Sequence, residues 1–315
     1  MAIVNTNIPI TSQRANEMIL ELVRTYPELR SEVLTTTAFG REIRTLTMGT
    51  GERHVLFSAA HHANEWITAL VLLKFAEDLA QTAREDGRIY GIQARTILKA
   101  ATIHLVPLVD PDGVDLVVGT IQPGTLEYET ARGLADNYPN IPFPDGWKAN
   151  LLGVDLNLQY PALWLRAREI KFSQGFTRPG PRDYVGRAPL NQLESRALAE
   201  LTRAIDPALV LAYHTQGKVI YWQFQDIQVP GARAYAEEFA RLSGYALEEV
   251  PEESSYAGYK DWFIQWFRRP GFTVEVGSGV NPLPLSQFDE IYQDNLGILT
   301  TAALGLSTAG NEIVP

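Results

Sequence analysis

The chain has 315 residues, 45% hydrophobic and 20% charged, a balance that supplies a buried core and excludes disorder as the dominant state. Its formal net charge of −10 excludes general affinity for nucleic acid or for an anionic membrane surface, since both need clustered Lys and Arg. Without any cysteine, disulfides, thiolate metal sites and a thiol nucleophile are excluded together, and five histidines and the carboxylates remain as the strong metal ligands.

The first residues, MAIVNTNIPITSQRANEMILELV, carry no cationic stretch followed by an apolar one, and no run reaches the ~18 uninterrupted apolar residues of a spanning helix, which predicts a cytoplasmic protein. Residues 12–31 have apolar positions at helical spacing, with Ser12 as a cap and Pro27 near the end, and predict an opening helix. Residues 33–40 and 41–51 read as a hairpin-like pair of strands. The apolar run HVLFSAA (54–60) predicts a buried strand that stops at His61 and His62, and residues 67–84 follow with a 3.6-residue period and no Gly or Pro, a helix. A second buried strand, ATIHLVPLVD (101–110), ends at the turn signal Asp110-Pro111-Asp112-Gly113.

From 119 to 186 the sequence is rich in Gly, Pro, Asn and aromatic residues and predicts a loop-dominated region, long enough to suggest that it serves a site. Helices are predicted at 190–206, 229–244, 259–269 and 287–306, and strands at 207–214 and 271–277. Strands alternating with helices along the whole length predict an α/β three-layer sandwich with a mixed, mostly parallel central sheet, forming a single domain over residues 1–315 without internal repeats.

In open α/β sheets sites gather beyond the carboxyl ends of the strands. Three runs end in chemistry-bearing residues: His61, His62 and Glu65 after the first buried strand, His214 at the end of PALVLAYH, and Glu275 within GFTVEVG. Two ligands from one strand-to-helix turn and a third from another strand end make a three-ligand zinc site with one open position. His62, Glu65 and His214 are the expected set for one zinc ion. His61 competes with His62, but neighbours at a strand end point oppositely, and His62 is favoured. His54 and His104 lie at the start of or inside strand-like runs and are set aside as edge or hydrogen-bonded core residues. Glu275, flanked by Val274 and Val276, is either one half of a structural ion pair or a general base that activates water and passes its proton to a leaving amine.

Together, His62-Ala63-Asn64-Glu65-Trp66, Gly153-Val154-Asp155-Leu156-Asn157, His214 and Phe272-Thr273-Val274-Glu275 resemble the zinc metallocarboxypeptidase family, in order and spacing over roughly residues 50–295. The resemblance implies that Glu275 is the catalytic base, that Asp155 orients the imidazole of His62, and that Lys148 stands where the family has an arginine polarising the scissile carbonyl. It also implies that Tyr256 caps the substrate. Family members clamp a free C-terminal carboxylate with an Asn-Arg pair, whereas Asn157 is here followed by Leu158, which removes the forked cation and favours an endopeptidase.

The stretches around Asp110–Gly113, GVDLNLQYPALW, SSYAGYKDWFI and GFTVEVGSGVNPLP are most similar to the bacterial γ-D-glutamyl-L-diamino-acid endopeptidase branch, which cuts peptidoglycan stem peptides. Lys260, fifteen residues before Glu275, then corresponds to the floor of the specificity pocket, where a cation favours an acidic group on the leaving side. The bland alternative for Lys260 is an exposed helix lysine. No cell-wall-binding repeat is visible, so soluble muropeptides are the expected substrates, with no nucleic acid or membrane partner. A metallocarboxypeptidase or a zinc-dependent N-acyl amino acid amidohydrolase is the alternative.

Overall fold

The computed structural model describes residues 2–306. Helix α1 (Ser12–Thr25) is capped by the Thr11 hydroxyl, which accepts from Arg14 N. It ends earlier than the expected residue 31, because Pro27 interrupts the pattern and the chain turns into strand β1 (Arg30–Thr36). Strands β2 (Glu42–Gly49) and β3 (Arg53–Ala59) follow, then helix α2 (Ile67–Arg84), the short pair β4 (Arg88–Ile89) and β5 (Ile92–Gln93), helix α3 (Ala94–Ala100) and strand β6 (Ala101–Val106).

The segment read as a turn at Asp110–Gly113 opens helix α4 (Pro111–Val118): the Asp110 carboxylate accepts from Gly113 N, and Pro111 occupies the first turn, where its missing N–H costs nothing. The stretch expected to be loop contains two more helices, α5 (Leu126–Ala135) and α6 (Trp164–Ser173). Beyond it lie α7 (Leu193–Ile205), β7 (Leu209–His214), β8 (Val219–Tyr221), α8 (Ala232–Ser243), β9 (Ala246–Leu247), α9 (Tyr259–Phe267), β10 (Gly271–Glu275) and α10 (Phe288–Leu304).

The main sheet has the order β1-β2-β6-β3-β7-β10-β8-β9. Its centre is parallel, with β3 beside β6 and β7 and β10 beside β7, while β1, β2 and β8 join antiparallel. Alternation along each strand feeds two cores. Val55, Phe57, Leu209, Leu211, Phe272 and Val274 face one side, with Leu70 of α2 and Ile298 of α10. Leu56, Val210 and Ala212 face the other, with Leu198 of α7 and Trp262 and Phe263 of α9. Both faces are therefore covered, and the central strands read as continuous apolar runs. This is the three-layer α/β sandwich expected, with a mixed, mostly parallel sheet.

From β3 the chain crosses to β6 on one flank and later returns to β7 on the other, so the carboxyl ends of β3 and β7 flank a crevice at a switch point. In register, Ala59 lies beside Tyr213 and His214 beside Glu275. Among the described residues no helix is long and apolar enough to cross a membrane.

Candidate metal centre and cleft

Beyond β3 the chain makes a short 3₁₀ turn, Ala63–Glu65, in which Glu65 N donates to His62 O. The three-residue separation turns the side chains of His62 and Glu65 to the same side. His214, the last residue of β7, meets them there. His62 Nδ1 lies 3.0 Å from Glu65 Oε1 and 3.2 Å from His214 Nδ1, and His214 Nδ1 lies 2.9 Å from Glu65 Oε2. Ligand atoms about 2.0–2.1 Å from a tetrahedral zinc ion lie about 3.3 Å from one another, so this donor set already has the spacing that the ion needs. His62, Glu65 and His214 are all buried and fit one zinc ion.

The outer nitrogen of His62 donates to Asp155 Oδ1 at 3.1 Å, which fixes the ring and leaves Nδ1 for the metal. Asp155 is itself held, since Oδ1 accepts from Asn157 N and Oδ2 from Asp183 N. Burial alone would raise its pKa, but the His62 imidazole, then Lys148 and Lys171, hold the carboxylate well below the usual range. His61 is excluded from the centre: its ring lies 5.4 Å from that of His214 and 5.7 Å from that of Tyr259, and burial keeps it neutral. His54 lies near the start of β3 and His104 within β6, and they hydrogen-bond each other at 3.0 Å away from the cluster.

Glu275 ends β10 beside His214 but ligates nothing in this cluster. Without the metal its pKa is pushed up to about 8 by burial and by the charge of Glu65, against the pull of Lys148 and His62, and a cation bound at Glu65 would favour the charged form. The Lys148 ammonium lies 3.0 Å from Glu65 Oε1, and its backbone is strapped in place, with Ala63 N donating to Lys148 O and Lys148 N to Pro181 O.

Two cavities meet in front of these groups, sharing Lys148, Arg182, Tyr221 and Glu275. The smaller, about 230 Å³, contains His62 and His214 and is lined further by Asp155, Asn157, Lys171 and Lys260. The larger, about 770 Å³, is bounded by Asn64, Asp145, Gln216, Val280 and Asn281.

Lys260 is not an exposed helix lysine: it is buried at 4% exposure, donates to Gln223 O and pairs with Asp261 at 2.6 Å. Asn157 lines the smaller cavity while its Oδ1 accepts from Tyr259 N. Tyr256 lines neither cavity; it packs beside Leu158 and Trp164 and is hydrogen-bonded to Arg166. Sequence reasoning missed Lys171, Arg182 and Asp183. Their only signal was charge inside a loop region too long to be mere connection.

The zinc carboxypeptidase family model matches residues 15–297. Gamma-D-glutamyl-L-diamino acid endopeptidase 1 of Lysinibacillus sphaericus is 45% identical over 280 residues, covering 89% of this chain and 68% of that protein. Among solved structures, thrombin-activatable fibrinolysis inhibitor aligns with a TM-score of 0.76 at 15% identity, over 96% of this chain and 76% of that one. Carboxypeptidase A from Helicoverpa armigera aligns with a TM-score of 0.68 at 15% identity and the same coverage. The two structures report on fold alone, whereas the match along the sequence, joined to a buried two-histidine, one-glutamate cluster, reports on chemistry as well. The chain belongs to the zinc carboxypeptidase family and is a zinc metallopeptidase.

Proposed function

We propose that the protein is an endopeptidase for peptidoglycan stem peptides, hydrolysing the bond between the side-chain carboxyl of D-glutamate and an L-diamino acid, with a muropeptide as its substrate. The observation that carries this reading is the floor of the smaller cavity. There the position after Asn157, where the family has an arginine, holds the apolar Leu158, and of the two buried lysines lining the cavity Lys171 is taken by Asp183 while Lys260 faces the leaving side. Gln223 O takes one of the three ammonium donors, and the Asp261 carboxylate lies 2.6 Å away as an ion pair. A diamino acid whose far end bears a carboxylate and an ammonium matches a buried pair that offers both signs. The 45% identity with a relative named for this activity supports the same substrate.

His62, Glu65 and His214 would hold one zinc ion, which when bound would supply the positive charge that favours ionised water and a polarised carbonyl. The chain's own residues do the rest. Glu275 takes the proton of the attacking water on its carboxylate and delivers it to the leaving amine. Lys148, beside both Glu65 and Glu275, stabilises the oxyanion as a point charge without the geometry of a fork. Asp155 keeps the His62 ring in one tautomer and orientation. Asn157 and Lys260 line the leaving side, and Tyr256, now turned toward Arg166, acts as a cap only if its loop swings round.

A panel of three substrates tests the reading: a γ-D-glutamyl-L-diamino acid peptide, a C-terminal dipeptide and an N-acyl amino acid. The γ-glutamyl bond is expected to be cut with the highest kcat/KM. Hydrolysis confined to the C-terminal dipeptide would make the protein a carboxypeptidase, and hydrolysis confined to the blocked amino acid an amidohydrolase.

A further inference from the structure

Arg182 follows Pro181, whose carbonyl accepts from the backbone N–H groups of Lys148 and Ala149 at 2.7 and 2.9 Å, so the arginine backbone is tied to the segment carrying Lys148. Its Nε donates to Asp183 Oδ2 at 2.6 Å. Asp183 is anchored in turn: its other oxygen takes the Lys171 ammonium at 2.6 Å, and its N–H donates to Asp155 Oδ2. The root of the guanidinium is thus fixed, while its two terminal nitrogens meet no partner among the described residues. The side chain is 42% exposed where the two cavities join, beside Lys148 and Glu275.

The larger cavity, which is left for the acyl donor once the smaller one is read as the leaving side, has Lys148 and Arg182 as its only cations among the lining residues, together with the acidic Asp145 and Glu275. Lys148 is already engaged by Glu65. A donor linked through its γ-carboxyl brings a second, free carboxylate to this place, separated from the scissile carbonyl only by the short glutamate side chain. An ordinary α-linked donor brings neutral backbone instead. With Lys148 engaged, a carboxylate arriving near Asp145 needs a partner, and a planar fork with both terminal nitrogens free is the group that binds one in bidentate fashion.

Resting on the substrate reading above, we infer that Arg182 binds the free α-carboxylate of a γ-linked glutamyl donor and is a specificity-determining residue, selecting γ-linked over α-linked or α-amidated donors. Asp183 is its positioning residue.

The test compares kcat/KM for two γ-D-glutamyl-L-diamino acid peptides, one with the α-carboxylate free and one with it converted to the carboxamide. The zinc-loaded protein is expected to favour the free acid by about tenfold or more, the worth of a charge-assisted hydrogen-bonded pair. Arg182→Gln brings the ratio to about one, and Arg182→Lys, with charge but no fork, leaves it in between. Each ratio compares two substrates on one variant, so a partly misfolded preparation does not distort it. An undiminished ratio in Arg182→Gln overturns the inference, as does a ratio near one in the unmodified protein. If the unmodified protein cuts neither γ-glutamyl peptide, the substrate reading itself fails.

Discussion

At position 275 a carboxylate closes an apolar strand, next to a ligand histidine yet outside the ligand set. Removing its ability to accept a proton while keeping its shape separates chemistry from metal binding. Glu275→Gln is expected to retain one zinc per chain and lose about 10²–10⁴-fold in kcat, the usual worth of a general base. His214→Ala is expected to lose zinc and hydrolysis together. Metal analysis beside a peptide assay checks both, and full activity in Glu275→Gln would remove the proposed role. His62, Glu65, His214 and Glu275 were legible in the sequence as candidates because each stands at or just beyond an apolar run, where strand ends deliver side chains to a crevice. His61 and His62 could be ordered only by strand-end geometry, and the environment agrees with the outcome: His61 packs against Tyr160 and Tyr259 and stacks on the His214 ring, outside the cluster of His62, Glu65 and His214. Arg182 was not legible. Its meaning comes from Asp183, Lys148 and Glu275, which meet it only through the fold.

The helix α4 bears directly on the metal-bearing turn. A side chain at Gly113 would bring its Cβ to 2.7 Å from Ala149 O and 2.8 Å from the Cβ of Ala63, which begins the 3₁₀ turn between His62 and Glu65. Backbone on one side leaves little room to yield. Gly113→Ala is therefore expected to destabilise the protein by about 1–3 kcal/mol, as overpacking does, and to weaken zinc binding by displacing Ala63. Thermal unfolding and a zinc competition titration read the two effects, and unchanged zinc affinity would show that the turn does not depend on this contact. The same helix shows where element prediction stopped. Asp-Pro-Asp-Gly reads as a turn by composition, but Asp at the cap and Pro in the first turn also open a helix, and burial of Val114 and Leu116 decided between them. Helices α5 and α6 were hidden for a simpler reason: α5 buries only Ala131 and Ala135, and α6 only Trp164, Ala167 and Lys171, so neither displays a broad apolar stripe. The edge strand β1 was read from residue 33 onward, and only its first residues, largely exposed, were absorbed into the opening helix.

Across the whole molecule the metal ligands connect the ends of two central strands far apart in the chain, so zinc binding to the folded state alone raises stability by mass action. The size of that effect depends on pH through His62. Burial opposes its charge, but Glu65 and Asp155, against Lys148, raise its pKa without metal from the ordinary 6.5 to about 9. A histidine whose pKa is raised on folding contributes stability that is complete below 6.5 and is lost as pH rises through about 9. The metal-free protein is therefore strongest on the acid side of this window, where an imidazolium between two carboxylates substitutes for the ion. Zinc must displace that proton, so its affinity rises with pH across the same interval and levels off above it. Both trends have one sign: the difference in Tm between zinc-loaded and chelator-treated protein is expected to widen steadily from pH 6.5 toward 9. Paired thermal melts at constant free zinc measure it. A gap that stays level or narrows would mean that His62 is neutral in the metal-free fold, and that the carboxylates around it are poised for something other than holding its proton until the metal arrives.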